Sequence, residues 1–406
     1  MRIVLAACGT RGDVQPALAL ATALMKTGCD IMVAAPPENQ AWVESYGCPF
    51  TPFGSDFSKF ISRYPEGHGL RLALGFGRFI RRETELQLEQ LPRVLSGGDL
   101  VISFSLIFSA KSVSEALGVP CLWTATTPQL FPSSRHPPFS IKNNSLPPWL
   151  NRLAWFQADK STDVLLKGVL NRGRKKLGLS PIATVSSHIL DGTTLVASDP
   201  EIAPIPSDVR GDYLQTGCYI IEPREQLSDE LESFLAAGPP PVYVGFGSMA
   251  ERGPRMTALV YRALARTGKR LVLASGWGGL GGRRDDDSCI TIAGAPHSLL
   301  FPRMAAVVHH GGAGTTAAAA RAGMPQVVVP HIFDQFYWGR RTFQLGLGPK
   351  PIPQSRLTPE NLSEAIREAL NNGSFSAKAG ELAERLKGSD GVGKTIQFIK
   401  EKYGMA

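Results

Sequence analysis

The sequence has no apolar run long enough to form a membrane-spanning helix. Such a helix needs ~20 consecutive apolar residues, and no apolar run of this 406-residue chain approaches that length. The N-terminus also lacks the basic segment followed by an apolar segment that marks a secretory signal. We therefore expect a cytoplasmic protein.

The six cysteines lack the paired spacing of a redox or zinc motif. They stand at positions 8, 29, 48, 121, 218 and 289, with no CxxC among them. We expect them to be reduced residues of the protein interior, as in cytosolic proteins. No DxD-like or HxxxH ligand set is evident either, which favours a reaction without a metal or other cofactor.

The charge pattern argues against nucleic acid as a partner. The net charge is +8, but no run of Lys and Arg is interleaved with aromatic residues in the manner of single-strand binders. Acidic small molecules and anionic membrane surfaces fit this charge better. A peripheral membrane contact is therefore left open.

The length and composition favour two α/β domains. A chain of 406 residues is long for one hydrophobic core, and 43% hydrophobic with 19% charged residues supports well-buried sheets. Short β-branched runs alternate with helical patterns along the chain, which is typical of doubly wound parallel sheets.

The stretch from Thr291 to Arg341 predicts a βαβ unit that binds phosphate. The runs AAVVHH and PQVVVP are typical of buried parallel strands. Between the first run and the helical pattern AAAARAG lies the glycine-rich turn HHGGAGTT. Its glycines let the backbone approach a ligand, and the helix N-terminus that follows attracts an anion.

The second strand of this unit runs into Asp334 and Gln335. A carboxylate and a neighbouring amide can bond several hydroxyl groups, whereas a carboxylate repels a phosphate. A phosphate cradle beside a hydroxyl-binding pair predicts a sugar phosphate as ligand. The competing interpretation is that Asp334 only caps the helix that follows.

The N-terminus repeats the strand-turn-helix pattern. RIVLAAC predicts a buried strand, Gly9 to Gly12 form the turn, and Pro16 lies in the first turn of a helix. Asp13 therefore stands at the carboxyl end of a strand, where open α/β sheets bind ligands. The alternative is that Asp13 merely caps this helix.

Five spaced motifs carry a family resemblance. RGDVQP near the N-terminus, GFGSM (245–249), APH (295–297), HHGGAGTT (309–316) and FDQ (333–335) occur in the order found in inverting nucleotide-sugar glycosyltransferases. The sequence resembles the branch with bacterial glycopeptide and macrolide glycosyltransferases and sterol 3β-glucosyltransferases. The resemblance implies two facing Rossmann-like domains, the GT-B fold.

The domain boundaries follow from this resemblance and the strand pattern. Residues 1–217 are predicted to form the acceptor-binding domain and 228–388 the nucleotide-sugar-binding domain. Residues 218–227 are the expected linker, and 389–406 the helix that packs back on the first domain.

The resemblance and the residues together assign roles in sugar transfer. Asp13 is the expected general base. The residues expected to bind the nucleotide-sugar donor are Gly12, Ser248, His297, His310, Gly312, Gly314, Thr315, Asp334 and Gln335. A purely structural role of His310 in its own turn stays open.

Two long insertions, 58–90 and 131–149, are expected to wall a pocket for a hydrophobic acceptor. The candidate lining residues are all aromatic: Phe76, Phe79, Phe104, Phe108, Trp123, Phe131 and Phe139. The competing interpretation is that they belong to the core. Arg78, Arg81 and Arg82 are expected on a solvated helix face.

The predicted function is transfer of a hexose, favouring glucose from UDP-glucose, to a sterol, macrolide or polyphenol. Plant relatives carry a base-stacking Trp and a ribose-binding Glu where this chain has Gly294 and Ala318, so thymidine nucleotides stay open. A silent nucleotide-sugar-binding protein is the alternative function.

The P-loop-like string GSDGVGKT (388–395) follows a helical pattern instead of a strand, so we expect no ATP site there.

Overall fold

The computed structural model describes residues 1–61, 70–247, 253–276 and 287–404. Their first half contains one sheet of seven parallel strands, and each strand precedes a helix or loop that crosses to the next. The strands are β1 (Arg2–Ala6), β2 (Asp30–Ala35), β3 (Phe50–Pro52), β4 (Leu100–Phe104), β5 (Cys121–Ala125), β6 (Thr194–Val196) and β7 (Tyr213–Gln215). Their order in the sheet is β3-β2-β1-β4-β5-β6-β7.

Helices flank this first sheet. They are α1 (Arg11–Met25), α2 (Gln40–Ser45), α3 (Phe57–Ile61), α4 (Leu70–Val94), α5 (Ala110–Leu117), α6 (Pro148–Thr162), α7 (Gly168–Lys176) and α8 (Val185–Ile189). A π-helical turn, Asp163–Lys167, continues α6, and 3-10 turns occupy Pro37–Asn39 and Pro128–Leu130.

The described residues of the second half contain five parallel strands in the order β10-β9-β8-β11-β12. These strands are β8 (Val242–Gly245), β9 (Leu271–Ala274), β10 (Cys289–Ile292), β11 (Ala306–His309) and β12 (Gln326–Val328). The helices are α9 (Asp229–Ala236), α10 (Gly253–Ala265), α11 (His297–Leu300), α12 (Ala313–Arg321), α13 (Gln335–Gln344), α14 (Pro359–Asn371), α15 (Gly373–Leu386) and α16 (Gly391–Tyr403). The 3-10 turns are Phe301–Arg303 and Gln354–Arg356.

The strand order determines where each sheet can bind a ligand. In the first sheet β1 and β4 are neighbours, although β2 and β3 lie between them in the chain. In the second sheet β8 and β11 are neighbours in the same way. The loops after two such strands diverge and open a crevice at their carboxyl ends. Each ligand-binding crevice is therefore formed by loops that lie far apart in the sequence.

The last helix packs on the first sheet. Ile399 of α16 is fully buried in the same core cluster as α1, and the hydroxyls of Tyr219 and Thr395 lie 2.6 Å apart. The P-loop-like string occupies the junction between α15 and α16, where the Asp390 carboxylate accepts the amide of Gly393 at 2.8 Å. A helix precedes it, as predicted, so it lacks the strand of a nucleotide-binding P-loop.

The chain passes from one sheet to the other between Gln215 and Val242. The predicted linker, 218–227, falls within this stretch, and the domain boundaries stay a prediction. In the described part of the chain, no helix has the length and apolar character needed to span a membrane.

Candidate active site

A cavity of about 2060 Å³ lies where the carboxyl ends of the two sheets face each other. A pocket for one drug-sized ligand is ~300–1,000 Å³, so this volume accommodates two ligands side by side. Residues after β1 and β4 line it from the first sheet, and residues after β11 and β12 line it from the second.

Asp13 lies in the first turn of α1 and faces the cavity. Its Oδ2 accepts the backbone amide of Thr10 at 2.8 Å and the Thr10 hydroxyl at 3.1 Å. Gly9, with φ of 128°, makes this packing feasible, because a Cβ there would lie 2.4 Å from Oδ2. The Asp13 carboxylate takes part in the helix cap with Thr10, as the alternative interpretation held. It also lines the cavity.

The environment of Asp13 strengthens it as a base. Burial raises the pKa of its carboxyl group, and hydrogen bonds from Thr10 and from the Ser105 hydroxyl oppose the rise. Ser105 follows β4 and adopts the left-handed conformation at φ 54°, which is uncommon for a residue with a side chain. No local sequence pattern pointed to Ser105, because only the pairing of β1 with β4 brings it to Asp13.

The N-terminus of α12 forms an anion cradle on the opposite wall. Gly312 occupies the N-cap position without a side-chain cap bond, and Gly312, Gly314 and Thr315 all line the cavity. The Thr316 hydroxyl donates to the Gly312 carbonyl at 2.9 Å and tightens the turn. The unpaired amides and the positive end of the helix dipole therefore face the cavity, as an anion site requires.

His310 fills a slot between Gly312 of this cradle and Gly247, which follows β8. A Cβ on Gly312 would lie 2.5 Å from its Nε2, and a Cβ on Gly247 would lie 3.0 Å from its Cε1. Burial lowers the pKa of His310 to about 4, so the ring is neutral at neutral pH. It can act on an anion as a hydrogen-bond donor and not as a cation.

The neighbouring His309 has a structural role that sequence reasoning missed. It is fully buried; its Nδ1 accepts the amide of Gly311 at 3.1 Å, and its Nε2 lies 3.0 Å from the side-chain oxygen of Gln326. Burial lowers the pKa of His309 to about 3. This ring fixes the turn that presents His310.

Asp334 begins α13 but does not cap it. Its side chain makes no cap bond and instead accepts the indole N–H of Trp338 at 3.0 Å. Burial raises the pKa of Asp334 to about 6; the bond from Trp338 opposes the rise, and the negative charge of Asp13 adds to it. Both carboxylates line the same cavity.

Gln335 contributes differently from the prediction. Its side-chain oxygen accepts the amides of His331 at 2.8 Å and Ile332 at 3.1 Å, which fixes the loop before α13. Its oxygen is therefore used within the protein, and its amide NH₂ is the group that can donate to a ligand. Ser248, another predicted donor-binding residue, lies outside the described residues.

His297 lines the far end of the cavity with Gly294 and Ala318. Its ring stacks on Phe301 at a centroid distance of 4.2 Å. Burial, with the nearby His310 ring and the Arg11 guanidinium adding to its effect, lowers the pKa of His297 to about 4. Arg11 lies over Trp42 at 4.4 Å and, like Gly12, lines the cavity from the first domain. The sequence analysis did not single out Arg11.

Comparison with known proteins identifies the family. Residues 3–130 match the N-terminal domain of glycosyltransferase family 28, and residues 286–390 match the C-terminal domain of the erythromycin biosynthesis protein CIII-like family. A vancomycin aglycone glucosyltransferase of Amycolatopsis orientalis is 35% identical over 91% of this chain and 90% of its own length. The chain belongs to this glycosyltransferase family.

Further relatives support both the resemblance and the fold. A sterol 3-beta-glucosyltransferase of Arabidopsis thaliana is 33% identical over 98% of this chain and 67% of its own length. The crystal structure of the calicheamicin glycosyltransferase CalG4 superposes with a TM-score of 0.73 at 19% identity and covers 99% of this chain and 98% of its own. The predicted family resemblance and the GT-B fold of two Rossmann-like domains are confirmed.

Four of the seven aromatic residues predicted for the acceptor pocket of this glycosyltransferase line the cavity: Phe76, Phe108, Trp123 and Phe139. Phe333 from the second domain joins them, with its ring 4.9 Å from Phe76 and 5.8 Å from Phe139. Phe333 has a φ of 51°. Such backbone strain in a bulky residue is often found at functional sites.

The other three aromatics belong to the core, as the alternative interpretation held. Phe104 shares with Leu100 and Ile102 the face of β4 that packs under the helices, because alternate residues of a strand face the same layer. Phe131 is 3% exposed and packs on Val196 and Val209. Phe79 packs against Phe57 and Phe60, and it is Phe57 that reaches the cavity.

We expect Gly312→Ala to weaken binding of UDP by about tenfold or more. The new Cβ would displace His310 and narrow the cradle, and a loss of ~1.4 kcal/mol, the scale of one hydrogen bond to a charged group, changes Kd tenfold. Isothermal titration calorimetry measures this without any acceptor. Gly380→Ala, at a position with no atom within 4 Å of the added Cβ, is the matched control, and equal affinities would contradict the assignment of the cradle.

Proposed function

We propose that this glycosyltransferase moves glucose from UDP-glucose to a hydroxyl group of a hydrophobic acceptor, such as a sterol, macrolide or polyphenol. The observation that most directly supports this function is the position of Asp13. This carboxylate lines the same cavity as the anion cradle, the aromatic side chains and Asp334. A cytoplasmic location stays a prediction.

The proposed mechanism is a single displacement. Asp13 accepts the proton of the acceptor hydroxyl, and the oxygen attacks the anomeric carbon on the face opposite to the departing diphosphate. The bond to the diphosphate breaks as the new glycosidic bond forms, so the configuration inverts. Asp334 and the amide of Gln335 would hold the sugar hydroxyls and align the anomeric carbon.

The α12 N-terminus would stabilise the leaving group. Negative charge grows on the diphosphate oxygens as the bond breaks, and amides fixed in place stabilise that charge without reorganisation. The neutral His310 adds a further hydrogen bond. We propose that these groups, with Arg11 approaching from the first domain, make a divalent metal unnecessary.

The relatives are consistent with two kinds of nucleotide-sugar donor. The vancomycin and sterol enzymes are glucosyltransferases by name, whereas a dTDP-epi-vancosaminyltransferase of Amycolatopsis orientalis is 31% identical over 91% of this chain. We therefore test thymidine-linked sugars as the second candidate beside UDP-glucose.

Mass spectrometry of reaction mixtures decides the donor. Purified protein is combined with UDP-glucose or dTDP-glucose and a panel of sterols, flavonoids and macrolides, with and without EDTA. We expect a hexose adduct with UDP-glucose, unchanged by EDTA. An adduct with dTDP-glucose alone would show that dTDP-glucose, and not UDP-glucose, is the donor. Nucleotide binding without transfer or donor hydrolysis would favour a silent binding protein.

We expect Asp13→Asn to lower kcat by about 10²- to 10⁴-fold, the usual contribution of a general base, and to leave the Kd for UDP unchanged. Asparagine keeps the shape and the bonds from Thr10 but cannot take a proton. Steady-state kinetics and calorimetry measure the two quantities. A parallel loss of nucleotide binding would point to a structural role in the turn instead.

We expect Ser105→Ala to move the acid limb of the kcat profile to higher pH. The serine hydroxyl lowers the pKa of Asp13; without it the carboxyl group binds its proton more tightly, and the base is lost at a higher pH as the medium is acidified. Asn tolerates the left-handed backbone and keeps a hydrogen-bond donor for Asp13. Ser105→Asn should therefore return the acid limb of the kcat profile to its original pH. An equal loss of rate at every pH would indicate a merely structural residue.

A further inference from the structure

The indole of Trp338 holds one carboxylate oxygen of Asp334. Its N–H donates to Oδ2 of Asp334 at 3.0 Å. Asp334 stands immediately before α13, and Trp338 lies in the first turns of the same helix, four residues later. Aromatic side chains in a helix lean back towards its N-terminus and meet the side chain four residues earlier. The spacing within the sequence DQFYW therefore favours this bond.

The ring of Trp338 is fixed by its surroundings. Trp338 is 3% exposed. It belongs to a buried apolar cluster that also contains Ala317 and Ala320 of α12 and Ile202 and Ala203 of the first half. An indole enclosed in a close-packed cluster has little freedom to turn. The direction of its N–H is therefore set by the packing of the elements around it.

The two oxygens of the Asp334 carboxylate differ in their partners. Oδ2 accepts the indole N–H, whereas Oδ1 accepts no hydrogen bond from another residue in the described part of the chain. Asp334 lines the cavity beside Gln335, whose side-chain oxygen is bonded by the amides of His331 and Ile332. One carboxylate oxygen and one amide NH₂ thus remain for a ligand, and the protein itself holds the other end of each group.

We propose that Trp338 is a positioning residue for the sugar of the donor. By holding Oδ2, its N–H turns the carboxylate of Asp334 so that Oδ1 meets the sugar hydroxyls. A hydrogen bond to a carboxylate is stronger than one between neutral groups, and a group that is ordered in advance binds its ligand at a smaller entropic cost. This inference rests on the proposed contact between Asp334 and the sugar.

The same bond affects the charge of Asp334. Burial and the negative charge of Asp13 raise the pKa of its carboxyl group to about 6, and the bond from Trp338 opposes this rise. Without the indole N–H the pKa would be higher, so the carboxyl group would keep its proton up to a higher pH. A protonated carboxyl group is a poorer acceptor for a sugar hydroxyl, and donor binding would weaken at a higher pH on acidification.

Calorimetry without any acceptor tests the proposal. Trp338→Phe keeps an aromatic ring and removes the N–H. We expect the Kd for UDP-glucose to rise about tenfold at neutral pH, the usual weight of one hydrogen bond to a charged group. The Kd for UDP, which has no sugar, should stay unchanged.

An isosteric replacement guards against a loss of packing. Benzothienylalanine in place of Trp338 keeps the size of the indole and has sulfur where the N–H was, so it should reproduce the effect of Trp338→Phe. Thr342→Val is the matched control. The buried Thr342 hydroxyl donates to the backbone carbonyl of Trp338 at 3.0 Å, so its loss disturbs the same turn without touching the carboxylate. This variant should bind both ligands like the unaltered protein.

The pH dependence separates positioning from a merely structural role. Titrations of UDP-glucose between about pH 5 and pH 9 should show that affinity falls on acidification at a higher pH in both Trp338 variants than in the unaltered protein. An equal loss for UDP and UDP-glucose, an unchanged pH dependence, or the same loss in Thr342→Val would overturn the proposal.

Asp334→Asn distinguishes this inference from the proposed function. If Asp334→Asn weakens binding of UDP-glucose and the Trp338 variants do not, the positioning role alone is wrong. If Asp334→Asn binds UDP-glucose like the unaltered protein, the sugar contact of the proposed function is wrong, and this inference with it. Weaker binding in all these variants without any transfer by the unaltered protein would support the positioning role and contradict the proposed activity.

Discussion

A buried carboxylate links the two halves of the molecule. Asp199, from the first half, accepts the Arg321 guanidinium and the Ser389 hydroxyl, each at 2.7 Å. Arg321 is the last residue of α12, whose first turn is the anion cradle. A buried pair of this kind is strongly destabilising to break, by ~3–5 kcal/mol, since the remaining charge stays buried. The position of the cradle relative to the first domain therefore depends on this contact.

The facing of two parallel sheets explains the chemistry of the cavity. Each sheet alone would leave its carboxyl-end loops in water, where an aspartate is a weak base. Together they enclose Asp13 and Asp334 in one cavity, and burial raises the pKa of both carboxyl groups while it lowers the pKa of His310 and His297. One desolvated space thus contains a basic carboxylate and neutral imidazoles beside an anion cradle.

Sequence reasoning located cavity-lining residues correctly where they belong to a local turn. The glycines around His310 and the turn before Asp13 are short-range features, and their strand-turn-helix pattern predicts where the ligand-facing groups lie. It failed for Phe104, Phe131 and Phe79, because a position near a strand end does not tell which layer a side chain faces. It gave no signal for Ser105, Phe333 or Arg11, which reach the cavity through strand pairing and domain closure.

The sequence by itself determined the family, the two-domain α/β architecture and the chemical type of each ligand-binding turn, because glycines, helix starts and strand runs act over a few residues. The tertiary structure decided which aromatics line the cavity and that Asp334 bonds Trp338 instead of capping its helix. These features depend on burial. Burial is set by elements distant in the chain, and no local pattern records it.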